Sequence, residues 1–136
     1  MRIALVRARA RADPRCMAHV WTFPILAVRK VVDGDTLDLE LDLGFSISIR
    51  QRVRLKGIDT PELASKDAGD RERAKAAREF TAAWCSRQAE IRAETTKDDK
   101  YGRMLAELVG DGGCRLTEDL LAARLAKRYG RAMRSI

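Results

Sequence analysis

Between Trp21 and Leu55 the chain is patterned for strands. Trp21 to Val32, WTFPILAVRKVV, is an apolar run rich in β-branched and aromatic residues with a proline near its start, and predicts a first strand. Asp33-Gly34 signals a turn. Leu37, Leu39, Leu41 and Leu43 then alternate with Asp38, Glu40 and Asp42, which predicts a second strand with one face buried. Gly44-Phe45 reverses the chain into a third, where Ile47, Ile49, Val53 and Leu55 alternate with Ser48, Arg50, Arg52 and Arg54.

Beyond Glu62 the period changes. Asp67 to Asp70 is a loop containing Gly69, and from Asp70 to about Arg87 the positions Ala77, Phe80, Thr81, Trp84 and Cys85 recur at helical spacing. Ala89 to Thr95 and Met104 to Val109 predict two short strands separated by KDDKYGR. After Asp111-Gly112-Gly113, Thr117 can cap a second helix with Leu116 and Leu121 as its hydrophobic staple, running to about Tyr129 and stopping at Gly130. Three strands, a helix, two strands and a helix fit an α+β, mainly β chain. The fold expected is a five-stranded, partly open OB-fold barrel with two main helices, its first three strands an antiparallel meander.

Composition narrows the class. The chain has 136 residues, room for one domain, and its 46% apolar content is that of a globular protein. No apolar run is long enough to span a bilayer. Cys16, Cys85 and Cys114 are odd in number and lack C-x-x-C spacing, which argues against a disulfide framework or structural zinc. The first 16 residues hold five Arg and no continuous apolar stretch, unlike a secretory signal. A reduced, cytoplasmic setting is therefore expected. The net charge of +7 resides in the ends: residues 1 to 16 carry +4 and residues 122 to 136 carry +5, leaving −2 between them. The expected organisation is a basic arm over residues 1–18, a folded domain over 19–130 and a basic tail over 131–136. The basic ends are either arms for an anionic partner or solvated tails.

The candidate chemistry clusters in Arg54 to Glu62, RLKGIDTPE. A hard divalent cation needs oxygen ligands, and Asp33, Asp35 and Asp59 all lie beside turns that can converge, with Thr60 offering a carbonyl. Asp35 shares parity with Leu37, so unless Gly34 breaks the register its carboxylate faces the apolar side and requires a partner. Taken alone, Asp33-Gly34-Asp35-Thr36 reads first as a polar hairpin turn. Arg54 and Arg103 present planar forks that can clamp one phosphodiester, although each taken singly reads first as a solvated or salt-bridged surface cation. Glu62, in a turn stiffened by Pro61, stands where a general base can be positioned. A histidine metal site is excluded because His19 is the sole histidine.

Three segments in order, VVDGDT (Val31 to Thr36), RLKGIDTPE (Arg54 to Glu62) and DKYGR (Asp99 to Arg103), resemble the motifs of the staphylococcal (micrococcal) nuclease, or thermonuclease-like, family. The similarity runs from about Trp21 to Tyr129 and includes Phe80-Thr81 and Leu125-Ala126-Lys127. It implies an OB-fold and a Ca²⁺-dependent nuclease, with Mg²⁺ as the other candidate ion, cleaving DNA and RNA to products ending in 3′-phosphate. Asp35, Asp59 and the Thr60 carbonyl would hold the ion, with Asp33 a nearby acid. Arg54 and Arg103 would hold the scissile phosphate and Glu62 would deprotonate the attacking water. Lys100 and Tyr101 fall where relatives contact the terminal phosphate and nucleotide, and Tyr129 only approximates their base-stacking tyrosines.

The resemblance implies that loss of Arg54, Arg103 or Glu62 depresses turnover more than stability. The chain stops soon after Tyr129, so the family's C-terminal helix is expected to be absent. The expected partners are DNA or RNA, with no membrane and no obligate protein partner. A catalytically silent nucleic-acid-binding or protein-interaction module is the competing expectation; the presence of Asp35, Arg54, Asp59, Glu62 and Arg103 together weighs against it.

Overall fold

The computed structural model describes residues 21–96 and 104–128. Its strands are β1 (Trp21–Asp33), β2 (Thr36–Gly44), β3 (Ile47–Leu55), β4 (Ile58–Asp59), β5 (Arg92–Thr95), β6 (Met104–Val109) and β7 (Lys127–Arg128). Its helices are α1 (Ala68–Arg87) and α2 (Leu116–Ala122), with a 3₁₀ turn at Asp111–Gly113. Five strands close into a barrel in the order β1-β2-β3-β6-β5, and β5 returns to β1. This is the expected OB-fold. The meander β1-β2-β3 is antiparallel, and closure comes from a parallel pairing of β3 with β6, Val53 opposite Met104 and Leu55 opposite Ala106. Among the described residues no helix is long and apolar enough to cross a membrane.

The alternating leucines of β2 fill the barrel. Leu37, Leu39 and Leu41 are fully buried with Val53, Leu55, Ala93, Ala106 and Leu108, while Trp84 of α1 and Leu116 and Leu120 of α2 cap the cluster. The alternation also predicts that Leu43, Ile47 and Ile49 are buried, but all three are exposed, and Phe45 at the hairpin tip is 96% exposed. The cause is length. β3 meets β6 only over Val53 to Leu55, so the far half of the β2–β3 hairpin has no second layer beneath it among the described residues.

Both helices differ from their predicted bounds. α1 starts two residues early because Asp67 caps it, its Oδ1 accepting from the Gly69 N–H at 3.2 Å. α2 is short. It begins at Leu116, and the Thr117 hydroxyl donates to Glu107 Oε2 at 2.8 Å instead of capping. The helix ends at Ala122, and Arg124 adopts a left-handed φ of 62°. The chain then forms β7, antiparallel to β4, with Lys127 opposite Asp59. Residues expected to extend a helix therefore become a strand beside the acid-rich turn.

Candidate active site

Three segments converge at one end of the barrel. The β1–β2 turn carries Asp33 and Asp35, the end of β3 carries Arg54, and β4 with the turn after it carries Asp59, Thr60 and Glu62. The turn at Gly34 lies directly on α1, where a Cβ at Gly34 would stand 2.7 Å from the Ala77 Cβ. Only glycine permits that approach. The Thr81 hydroxyl donates to the Gly34 carbonyl at 2.8 Å and pins the turn to the helix.

Asp35 sits in this turn and is 4% exposed. The partner that such a carboxylate requires is Arg54. Arg54 Nη1 donates to Asp35 Oδ2 at 2.6 Å, and Nη2 donates to the Ile58 carbonyl at 3.1 Å and to Asp59 Oδ1 at 3.2 Å. The guanidinium therefore bridges the two carboxylates, with only 14% of its side chain exposed. Burial works against its charge, but Asp35 and Asp59 more than offset that and hold its pKa above the ordinary arginine value. Asp35 also accepts from the Thr60 N–H at 3.2 Å and the Thr36 hydroxyl at 3.0 Å.

Asp33 completes the acid group. Burial pushes its carboxyl above the usual carboxylate range, a rise opposed by the Leu63 N–H, which donates to Asp33 Oδ1 at 3.3 Å, and reinforced by Asp35. Glu62 is exposed and shares an open cleft of about 630 Å³ with Asp59, Thr60, Pro61, Ser65, Asp70, Arg73, Arg124, Leu125, Ala126 and Lys127. That volume lies in the ordinary range for ligand clefts.

The oxygen-rich group suits a hard cation in part. Three carboxylates, Asp33, Asp35 and Asp59, face one guanidinium, leaving an excess of negative charge. The Thr60 hydroxyl is buried and has no hydrogen-bond partner among the described residues. A carboxylate offers about four acceptor positions, and the bonds from Arg54, Thr60 and Thr36 leave Asp35 room for one further contact. Asp59, with 41% of its side chain exposed, has more. No three His, Cys, Asp or Glu side chains gather tightly enough to hold a metal ion among the described residues. An ion held by these oxygens would have to keep much of its water, as Mg²⁺ does and Ca²⁺ tolerates.

Asp33, Asp35, Arg54, Asp59 and Thr60 are thus in one cluster, and Glu62 lines the adjoining cleft. Lys100, Tyr101, Arg103 and Tyr129 lie outside the described residues. Sequence reasoning gave no role to Thr36, Thr81, or the cleft cations Arg73, Arg124 and Lys127. Thr81 counted as one position on the apolar face of α1 and as part of the family resemblance, without a role of its own. Lys127 enters through β7, in a segment whose pattern suggested helix.

A model of the family described as "Staphylococcal nuclease homologue" matches residues 52–135, more than half of the chain. The chain belongs to the staphylococcal nuclease family. A thermonuclease from Staphylococcus intermedius is 38% identical over 81 residues, 58% of this chain and 45% of that protein, so the chain spans under half the length of this relative. The family match contains Arg54, Asp59, Thr60, Glu62 and Arg103 but begins after Asp35. Asp35 is tied to the matched segment by the barrel itself, since the register of β2 on β3 sets Thr36 opposite Arg54.

Proposed function

We propose that this protein hydrolyses phosphodiester bonds of DNA or RNA with the help of a divalent cation, Ca²⁺ by family likeness. The observation that carries this reading is the Arg54 bridge between Asp35 and Asp59 beside a cleft that contains Glu62, in a chain of this family. Asp35, Asp59 and Thr60 are the residues that would hold the ion, with Asp33 adding to the negative field. Bound there, it would supply Lewis acidity and a coordinated water.

The chain's own groups perform the rest. Glu62 accepts a proton from the water that attacks phosphorus. Arg54 answers charge on the phosphoryl oxygens, together with Arg103 by family likeness. In the structure the Arg54 fork is committed to protein oxygens, so it must exchange or share one of them to grip phosphate. A donor of this type is worth on the order of 3 kcal/mol in the transition state, or about a hundredfold in rate. Lys100, Tyr101 and Tyr129 remain candidate contacts to nucleotide.

Incubating the protein with single- and double-stranded DNA in Ca²⁺, Mg²⁺ or chelator tests the proposal. Degradation in one of the metals and none in chelator is expected. Absence of degradation in every condition, with oligonucleotide binding retained, would leave the binding-module alternative. A second check needs no turnover: Ca²⁺ added to the protein should raise its Tm in proportion to the logarithm of concentration above Kd, and Asp59→Asn should abolish that rise.

A further inference from the structure

One wall of the cleft is not used by the proposed reaction. Among its lining residues the cations are Arg73, Arg124 and Lys127, and Arg73 is paired with Asp70. Arg124 is exposed, and among the described residues its guanidinium makes no ion pair or hydrogen bond. Its backbone is held in an unusual state. The Arg124 N–H donates to the Leu121 carbonyl and the Leu125 N–H to the Leu120 carbonyl, each at 3.0 Å, just after the C-cap Ala123 of α2. These are the paired bonds of a Schellman helix ending, and they assign the left-handed position to Arg124, with φ of 62°.

Glycine is the ordinary occupant of that position, because a Cβ there is disfavoured. A cation near a helix C-terminus is favoured by the helix dipole. That explains a basic residue somewhere in the last turn but not at this place. α2 has seven residues, and a lysine or arginine at Ala122 or Ala123 would answer its dipole without backbone strain. What distinguishes the left-handed position is its place: Arg124 lines the cleft that also holds Asp59 and Glu62. Strain kept at a cleft wall marks a residue held for its side chain.

We infer that Arg124 binds a backbone phosphate of the nucleic acid next to the one that is cleaved. The inference rests on the proposed nucleic-acid function and adds a residue to its binding track. A guanidinium with no ion pair or hydrogen bond among the described residues, on an open cleft wall, can take two phosphate oxygens without first breaking such a pair. β7, three residues on, runs alongside Asp59 and fixes this wall against the acid group.

The test compares Arg124→Gly and Arg124→Lys with their parent, all carrying Glu62→Gln, in the presence of Ca²⁺. Anisotropy of a labelled single-stranded oligonucleotide is read from about 50 to 200 mM salt, with the Tm of each protein. Arg124→Gly should bind more weakly, its log–log salt slope should be smaller by about 0.7, one phosphate contact, and its Tm should rise by about 3 °C as the strain is removed. Arg124→Lys should keep most of the slope. If the parent binds and the slope of Arg124→Gly is unchanged, or its Tm falls, Arg124 serves the helix ending alone and the inference is overturned while the nuclease reading stands. A parent that binds no oligonucleotide removes both.

Discussion

At the scale of single residues the site is tied to the stability of the fold. Gly34 touches Ala77 so closely that Gly34→Ala should cost about 2 kcal/mol in urea unfolding, and Ala77→Gly should recover part of it. Arg54 is the stronger case. Its role by resemblance is phosphate binding, with loss expected to depress turnover more than stability, yet it is also the buried counter-ion of Asp35. Arg54→Ala should therefore destabilise by about 3 kcal/mol, because it strands a buried carboxylate, and adding Asp35→Asn should restore much of the loss. The need for a partner at Asp35 was legible from the parity of one carboxylate with the leucines. Which residue answers it was not, because Arg54 lies 19 positions away and comes into reach only through the β2–β3 register.

At the scale of elements, the two helices are joined by one bond between side chains. The indole N–H of Trp84, a residue 1% exposed, donates to Asp119 Oδ2 at 2.8 Å across α1 and α2. Asp119→Ala should leave that N–H without a partner, cost about 2 kcal/mol and shift the fluorescence of the tryptophan. Strand β2 and helix α1 were legible because each buries a face along its central length, so period and burial agree. The end of α2 was not. Leu121 and Leu125 keep helical spacing, yet Leu125 reaches the core from the turn after the helix, and the left-handed Arg124 redirects the chain to β4. The exposed hairpin tip failed for the opposite reason: its alternation is regular, but no layer covers it among the described residues.

At the scale of the whole molecule, barrel closure was the least legible feature, since the parallel pairing of β3 with β6 sets Val53 opposite Met104, more than a third of the chain apart. Net charge was uninformative about the site, which concentrates acid in a basic chain. The buried groups make stability depend on pH in a defined direction. Burial pushes the Cys85 thiol from 9.0 up to about 11, so the folded protein holds that proton more tightly than the unfolded chain. Its contribution is fully present below pH 9 and is lost as pH rises toward 11, a decline that Cys85→Ala should remove in unfolding curves at those pH values. The central claim is that the cleft next to the Asp35–Arg54–Asp59 cluster hydrolyses phosphodiesters with Glu62 as base. It is tested most directly by the Ca²⁺-dependent cleavage rate of Glu62→Gln, since Glu62 is exposed and its loss should leave Tm unchanged. A fall in rate of about a hundredfold or more is predicted; a variant that cleaves within a few-fold of the parent would contradict it.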